Sequence, residues 1–345
     1  MLTALGWHLN MSETTVAFLF DDDASQYLER GCDFMRQNRF AEAITEFEDV
    51  LKLEPKNRHA RWNRAVALLS LGDYIRGMPE HESAWELYDW RALGQVKGNV
   101  DRIFALPLWR GEWCRLIVYH EMGFGDAIML LRFLPDLVSS CESVTLVVRP
   151  ELVSLMQGRG ATIVGSIPQD MSLYEKRVTF FNAVHTMGYS LKTIPKRPYI
   201  FPKFWEYGWK QKIGIAWSGS SRKEFTLDSF LSMLDVGDRE IYALQLVDME
   251  ESTGRIERIV YPLRSKDFRE TVDLIARMDH VATVDTAAAH LAGAMGHPSV
   301  HLILPFMRDW RWHHADVWYP TIKIYPQPTP EDWATPFARL NEALK

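Results

Sequence analysis

The chain has 345 residues, 47% hydrophobic and 24% charged, with 13 Trp, 17 Phe and a net charge of −6. That length exceeds one ordinary core and implies two or three domains. The mild negative charge excludes a global pull toward nucleic acid or an anionic membrane. Cys32, Cys114 and Cys141 are odd in number and widely spaced. Neither a disulfide framework nor a zinc site is therefore indicated, and a reducing, cytoplasmic setting fits. No stretch approaches the roughly 18 unbroken apolar residues of a transmembrane segment. Residues 1–23, MLTALGWHLNMSETTVAFLFDDD, lack a basic n-region and a long apolar run, so they read as an N-terminal extension rather than a signal peptide.

Residues 24–95 carry an internal repeat. Gly31 and Ala65, Phe40 and Tyr74, Ala43 and Gly77, and Val50 and Ala84 each stand 34 positions apart. The first unit places small residues, Gly31 and Ala43, where paired helices would touch, fills the cleft with Phe40 and Phe47, and ends its second helix at Pro55. That period and placement resemble a tetratricopeptide repeat. The second unit has His81 in place of Phe47 and runs on into WELYDWRALG. Two repeats are fewer than the roughly three of a free-standing solenoid. They are expected to dock on the next domain, with Trp85, Tyr88 and Trp90 at the junction.

Beyond the repeats, apolar runs of strand length alternate with amphipathic ones of helical period. CRLIVYHE, SVTLVVRP and RVTFFNAVH read as buried strands and DAIMLLRFLPDLVSS as one helix. TIPKRPYIFPKFWEYGWK, 193–210, reads as a linker. A second series follows in KIGIAWSG, EIYALQLV, ERIVYP, HVATVDT and SVHLILP, with EDWATPFARLNEALK as a closing helix. Alternating strands and helices imply parallel sheets. The expected fold is α/β, with two Rossmann-like doubly wound halves, 96–205 and 206–345, facing a cleft.

Chemistry is expected where strands end. In VATVDTAAAHLAGAMGHP, Asp285 and Thr286 stand at the carboxyl end of a strand and the start of a helix. The unpaired N–H groups of such a helix and its dipole favour phosphate. Thr286 adds a hydroxyl donor, His290 lies one turn on along the same face, and Ala287 with its small neighbours lets a ligand approach. Gly296 and Pro298 stop the helix. In KIGIAWSGSSRKEFT, a strand ending at the donor-side candidate Trp217 runs into a loop of Ser218, Gly219, Ser220 and Ser221 that offers backbone and hydroxyl donors, and Arg222 and Lys223 offer charge against a leaving diphosphate. In YHEMGFGDAIMLLRFLP, the turn Gly123, Phe124, Gly125 puts Asp126 at a helix start, as a cap or as a general base. His120 and Glu121 are neighbouring candidates.

GFGDAIMLLRFLP, GIAWSGS, ALQ at 243–245, DFRETVDLIARMDHVATVDTAAAHLAGAMG and LPFMRDWRW followed by WYP are together similar to a bacterial family that joins tetratricopeptide repeats to a glycosyltransferase of GT-B type. More distantly, they resemble the ADP-heptose:lipopolysaccharide heptosyltransferases and the protein O-GlcNAc transferases. The resemblance implies an inverting transfer of a sugar from a nucleoside-diphosphate sugar to an acceptor hydroxyl, with donor in the C-terminal half, acceptor toward the N-terminal half, and no metal or other cofactor. It maps the base to Asp126, the phosphate-binding lysine to Lys223, the sugar and diphosphate contacts to Asp285, Thr286 and His290, and a strand-end donor contact to Gln245. Trp310, Arg311, Trp312 and His313 are expected to shape the cleft wall. Two departures stand out: Phe225 precedes Thr226 where relatives carry Arg, and Ala127 sits where an acid or hydroxyl is frequent. The acceptor would be a glycan, a protein or another hydroxyl-bearing molecule, and the repeats could recruit a protein partner. A nucleotide-sugar-binding adaptor without catalysis and a sugar-nucleotide epimerase are the alternatives on the same fold.

Overall fold

The computed structural model describes residues 22–86, 101–120, 122–206, 211–219, 225–246, 259–263 and 265–345. Tyr88 and Trp90 lie outside the described residues, as does the side chain of Trp85. Glu121, Arg222 and Lys223 also fall outside them.

Four helices come first: α1 (Asp22–Arg36), α2 (Phe40–Leu53), α3 (Arg58–Ser70) and α4 (Tyr74–Glu86). In α2 the buried residues Phe40, Ala43, Ile44, Phe47 and Val50 recur at helical spacing and turn one face inward. Phe47 lies directly over Gly31, where a Cβ would stand 2.5 Å from the ring. Asn57 caps α3 by accepting from the Ala60 N–H at 3.0 Å. His81 is buried between the rings of Trp62 and Phe181, 4.5 and 4.6 Å away. Burial pushes its pKa down to about 3, so it packs as a neutral ring.

The first α/β unit contains α5 (Asp101–Phe104), β1 (Arg115–Tyr119), α6 (Phe124–Leu130), α7 (Leu134–Ser139), β2 (Ser143–Val147), α8 (Pro150–Met156), β3 (Thr162–Val164), β4 (Lys176–Thr179) and α9 (Phe180–Thr186). Its strands are parallel in the order β3-β2-β1-β4. Two expectations change here. The helix expected over DAIMLLRFLPDLVSS breaks into α6, a 3₁₀ turn at Leu131–Phe133 and α7, because Pro135 has no N–H to continue the α ladder. The run RVTFFNAVH is strand only as far as Thr179, whose hydroxyl accepts from Asn182 N and starts α9.

The second unit contains β5 (Lys212–Ala216), α10 (Leu227–Met233), β6 (Glu240–Leu246), β7 (Ile259–Leu263), α11 (Phe268–Ile275), β8 (His280–Thr283), α12 (Ala287–Met295), β9 (Val300–Leu304), a 3₁₀ turn at Trp310–His314, α13 (Ala315–Trp318), β10 (Ile322–Pro326) and α14 (Ala334–Ala343). All pairings are parallel, in the order β10-β9-β8-β5-β6-β7. Counted within the unit this is 3-2-1-4-5-6, the dinucleotide-binding order. β3 and β10 were not among the expected strands: one has three residues, and the other is a short edge strand with Lys323 exposed.

The two units touch along α6 and α12. Buried Arg132 fastens them. Its Nη1 donates to the carbonyls of Pro195 and Trp318 at 3.1 and 2.7 Å, and its Nη2 to the Tyr199 hydroxyl at 3.1 Å. The segment 193–206 thus runs as an irregular strap between the sheets rather than as a loose tether.

Candidate functional site

In a doubly wound sheet, ligands bind beyond the carboxyl ends of the strands where the order reverses. In the second sheet that reversal lies between β5 and β8; in the first it lies between β1 and β4. The segments leaving β5, β8 and β1 line one cleft of about 640 Å³. It brings together Gly123, Phe124, Gly125, Asp126, Ser218, Gly219, Gln245, Asp285, Thr286, Ala287 and His290, all of which were singled out in the sequence. Trp217 is the exception. Its side chain is buried beside Ile213, Phe225 and Phe230 in the core of the second unit, and only its backbone N–H turns toward the site.

The second unit contributes a helix start. Thr286 is the N-cap of α12, in extended conformation and without a side-chain cap bond. Among the described residues, the N–H groups of Ala287 and Ala288 have no backbone acceptor, and both residues line the cleft. Unpaired N–H groups at a helix start, with the dipole behind them, attract an anion. The Thr286 hydroxyl behaves differently from the expectation. Thr283 Oγ1 donates to the Val284 carbonyl at 2.7 Å, so Thr286, 2.9 Å from it, spends its own hydrogen on Thr283 and offers lone pairs outward. The Ser218 N–H is also occupied. Gln245 Oε1 accepts from Trp217 N at 2.8 Å and Ser218 N at 3.1 Å, which leaves the Gln245 NH₂ as the donor it brings to the cleft.

His290 is buried beneath this helix start. Its Nδ1 is 2.8 Å from the Tyr319 hydroxyl and its Nε2 is 3.9 Å from Asp285 Oδ1. Desolvation first, then the charges of Arg311 and Arg132, push its pKa well below the usual value, so the ring is neutral. Asp285 keeps 41% of its side chain exposed to the cleft. The cleft walls and the Asp309 carboxylate raise its pKa, against the pull of the Trp312 indole and Arg311.

The first unit contributes α6, whose start lies against α12. A Cβ on Gly125 would meet His290 Cδ2 at 2.5 Å and Nε2 at 2.9 Å. Only glycine fits this close approach. His120 Nε2 holds the turn through the Gly123 carbonyl at 2.8 Å. Asp126 is both a cap and a cleft residue: its Oδ2 accepts from Gly123 N at 2.9 Å, and its Oδ1 pairs with Arg311 Nη2. Both partners of that pair are buried, with 8% and 5% of their side chains exposed. Burial raises the Asp126 pKa and Arg311 opposes the rise. Burial likewise works against the Arg311 charge, and Asp126 and Asp309 more than offset it.

Several lining residues were missed in the sequence: Glu151, Ser265, Lys266, Phe268 and Asp309. Ser265 and Lys266 follow β7 and precede α11, the same strand-to-helix position that marked Asp285. That rule would have found them. Of the expected wall residues, Arg311 lines the cleft, whereas Trp310 and Trp312 are fully buried behind it. His313 packs outward against Phe40, with ring centroids 4.9 Å apart.

Residues 28–85 match the tetratricopeptide repeat family model, so the helical segment is built of such repeats. No protein of curated function matches the chain. Among solved structures, the chain is similar to the iron-containing dodecameric glycosyltransferase TibC of enterotoxigenic E. coli, at 11% identity and a TM-score of 0.38, over 57% of this chain and 61% of that one. TibC as an iron-containing heptosyltransferase in complex with ADP-D-β-D-heptose gives 11% identity and 0.36, over 57% and 59%. A mutant O-GlcNAc transferase of Thermobaculum terrenum gives 13% and 0.31, over 94% and 93%. The chain thus spans about 61% of the first of these proteins. Function has to be read from the cleft itself.

Proposed function

We propose that the chain is an inverting, metal-independent glycosyltransferase that uses a nucleoside-diphosphate sugar. One observation carries the reading: the reversal points of two parallel sheets meet in one cleft, with an open helix start on one wall and a buried, ion-paired carboxylate on the other. The diphosphate would lie against the Ala287 and Ala288 N–H groups and the Gln245 NH₂, with Lys266 at the rim. Lys223, outside the described residues, keeps its assigned role as a further cation against the leaving group. Asp285 and the neutral His290 ring would face the sugar.

The reaction is a single displacement. The acceptor oxygen forms a bond to the anomeric carbon as its proton passes to Asp126. The bond between that carbon and the diphosphate oxygen breaks with its electron pair leaving on the diphosphate. Attack opposite the leaving group inverts the centre. Burial makes Asp126 a stronger base than a surface carboxylate, and Arg311 keeps it ionised. Stabilisation of the charge growing on the diphosphate is expected to be the largest contribution.

A thermal-shift screen of UDP-, GDP-, ADP- and dTDP-sugars tests the donor. A ligand at 100 times its Kd adds about 2.7 kcal/mol. Asp126→Asn should retain that shift and lose transfer, and transfer by the wild type should persist in EDTA. Absence of any shift, or full transfer by Asp126→Asn, would overturn the reading. The acceptor class and a protein partner for the repeats belong to the same proposal.

A further inference from the structure

The repeats do not lie apart from the cleft. The stretch from Leu304 to Trp318 forms a cleft wall on its inner side, through Pro305, Met307, Asp309 and Arg311. On its outer side the repeats cover it. Asn38 Nδ2 donates to the Phe306 carbonyl at 3.0 Å, and His314 Nε2 meets the Ser70 carbonyl at 3.1 Å. The Tyr74 ring stands edge-on to Trp310 at 5.6 Å, and the Tyr74 hydroxyl accepts from Trp318 Nε1 at 2.8 Å. Tyr74, Trp310 and Trp318 are all buried by this contact. Between the two tryptophans, Arg311 points the other way, to Asp126 of the first unit and to Asp309 at 2.6 Å.

The geometry points to Arg311 as a positioning residue for the Asp126 carboxylate, with the helical repeats as its anchor. A planar guanidinium can hold two carboxylates at once, and a fork of this kind fixes direction as well as charge. Asp309 holds one side of the fork in place while the other side reaches Asp126. The repeats then set where the fork sits, because the 3₁₀ turn that carries it rests on Tyr74 and Ser70. The charged groups around Asp126 are Arg311 and Asp309 on this turn, Asp285 on the loop after β8, and Arg149 at the start of α8. Arg311 alone among them makes contact with its oxygens. This inference rests on the proposed function only for the task given to the carboxylate. It gives the repeats a part in the site beyond recruitment: whatever displaces Tyr74 displaces the arginine.

The test is a titration of the full-length chain with aspartate ¹³C-labelled at the carboxyl, the Asp126 resonance being identified by its absence in Asp126→Asn. Arg311→Gln should raise the Asp126 midpoint by about one pH unit or more, since it removes a contacting cation. Arg311→Lys should recover part of the shift, because an ammonium supplies charge but not the fork. Tyr74→Phe, which touches neither residue, should move the midpoint in the same direction by less. An unchanged midpoint in folded Arg311→Gln overturns the positioning role, and an unchanged midpoint in Tyr74→Phe overturns the anchor. If Arg311→Gln does not fold, Tyr74→Phe decides alone. The titration needs no donor, so its failure is separable from failure of the transferase reading. Where transfer is measurable, the acid limb of the pH–rate profile should follow the midpoint, with kcat lowered and donor KM unchanged.

Discussion

The two sheets place an aspartate by the same rule and treat it in opposite ways. Asp126 follows β1 and Asp285 follows β8, each at the strand end where the sheet order reverses. Asp126 is sealed against the other unit, bonded to a backbone N–H and an arginine. Asp285 stands at a helix start with 41% of its side chain open to the cleft and the neutral His290 ring 3.9 Å away, and it feels Asp309, Trp312 and Arg311 without an ion pair like that of Asp126. Topology therefore decides where a carboxylate meets the ligand, and the neighbouring element decides what that carboxylate can do. A paired carboxylate in a dry wall is suited to take a proton; an open one beside a helix start is suited to accept hydrogen bonds from hydroxyls.

Three changes would break or sharpen that contrast. The largest effect is expected from Arg311→Met, which leaves buried Asp126 and half-buried Asp309 without their cation. Breaking one side of a buried pair costs about 3–5 kcal/mol, to be read from urea unfolding. A loss under about 1 kcal/mol would show that Asp126 is as solvated as Asp285. Next comes Gly125→Ala. The added methyl meets the His290 ring at 2.5 Å and forces α6 away from α12, so a loss of about 1–3 kcal/mol is expected. A Tm equal to that of the wild type would show that the two walls are not in contact.

The smallest change, Asp285→Asn, concerns the open carboxylate and should have the opposite sign. The folded pKa of Asp285 is raised, so its ionised form weakens the folded state above that pKa, and the penalty disappears below the unfolded value of about 3.9. Asn removes it. Because the side chain is 41% exposed, solvent screening limits the gain to under about 1 kcal/mol. Tm should rise slightly at pH 8 and match the wild type at pH 3.5. His290 runs the other way: its pKa is depressed, so stability falls as pH drops below the unfolded value of about 6.5. A Tm of Asp285→Asn below that of the wild type at pH 8 would mean that Asp285 is held by a partner rather than left open.

Much of this was legible along the chain. The repeat, matched over residues 28–85, showed in the 34-residue spacing of small and aromatic residues, and its pairing of Gly31 with Phe47 joins two helices that are consecutive in the chain. Most strands were legible because both faces of a parallel sheet are buried, which produces unbroken apolar runs. The edge strand β10 escaped because it is short and exposed Lys323 interrupts its apolar residues, and α9 escaped because the apolar residues of RVTFFNAVH continue past Thr179, where the cap begins the helix. At the site, the strand-to-helix junctions pointed to Asp126 and Asp285, and the family resemblance pointed to Gln245. Lys266 was passed over at an equivalent junction. Trp217 was assigned to the cleft as a neighbour of Ser218, but its ring turns into the core.

The amino-acid sequence by itself determined the local terms of this protein: which segments bury both faces, where a helix must begin or stop, and that small residues stand where chains or ligands come close. Those follow from side-chain volume and backbone hydrogen bonding over a few residues. Tertiary structure decided the pairings between distant segments. Gly125 lies against His290, the Ser218 N–H is taken by Gln245, and Arg311 reaches Asp126 while the repeats cover the turn behind it. These depend on where two sheets and a helical stack settle against each other, and charge or burial at such a junction is a property of the assembled neighbours, which no single segment carries.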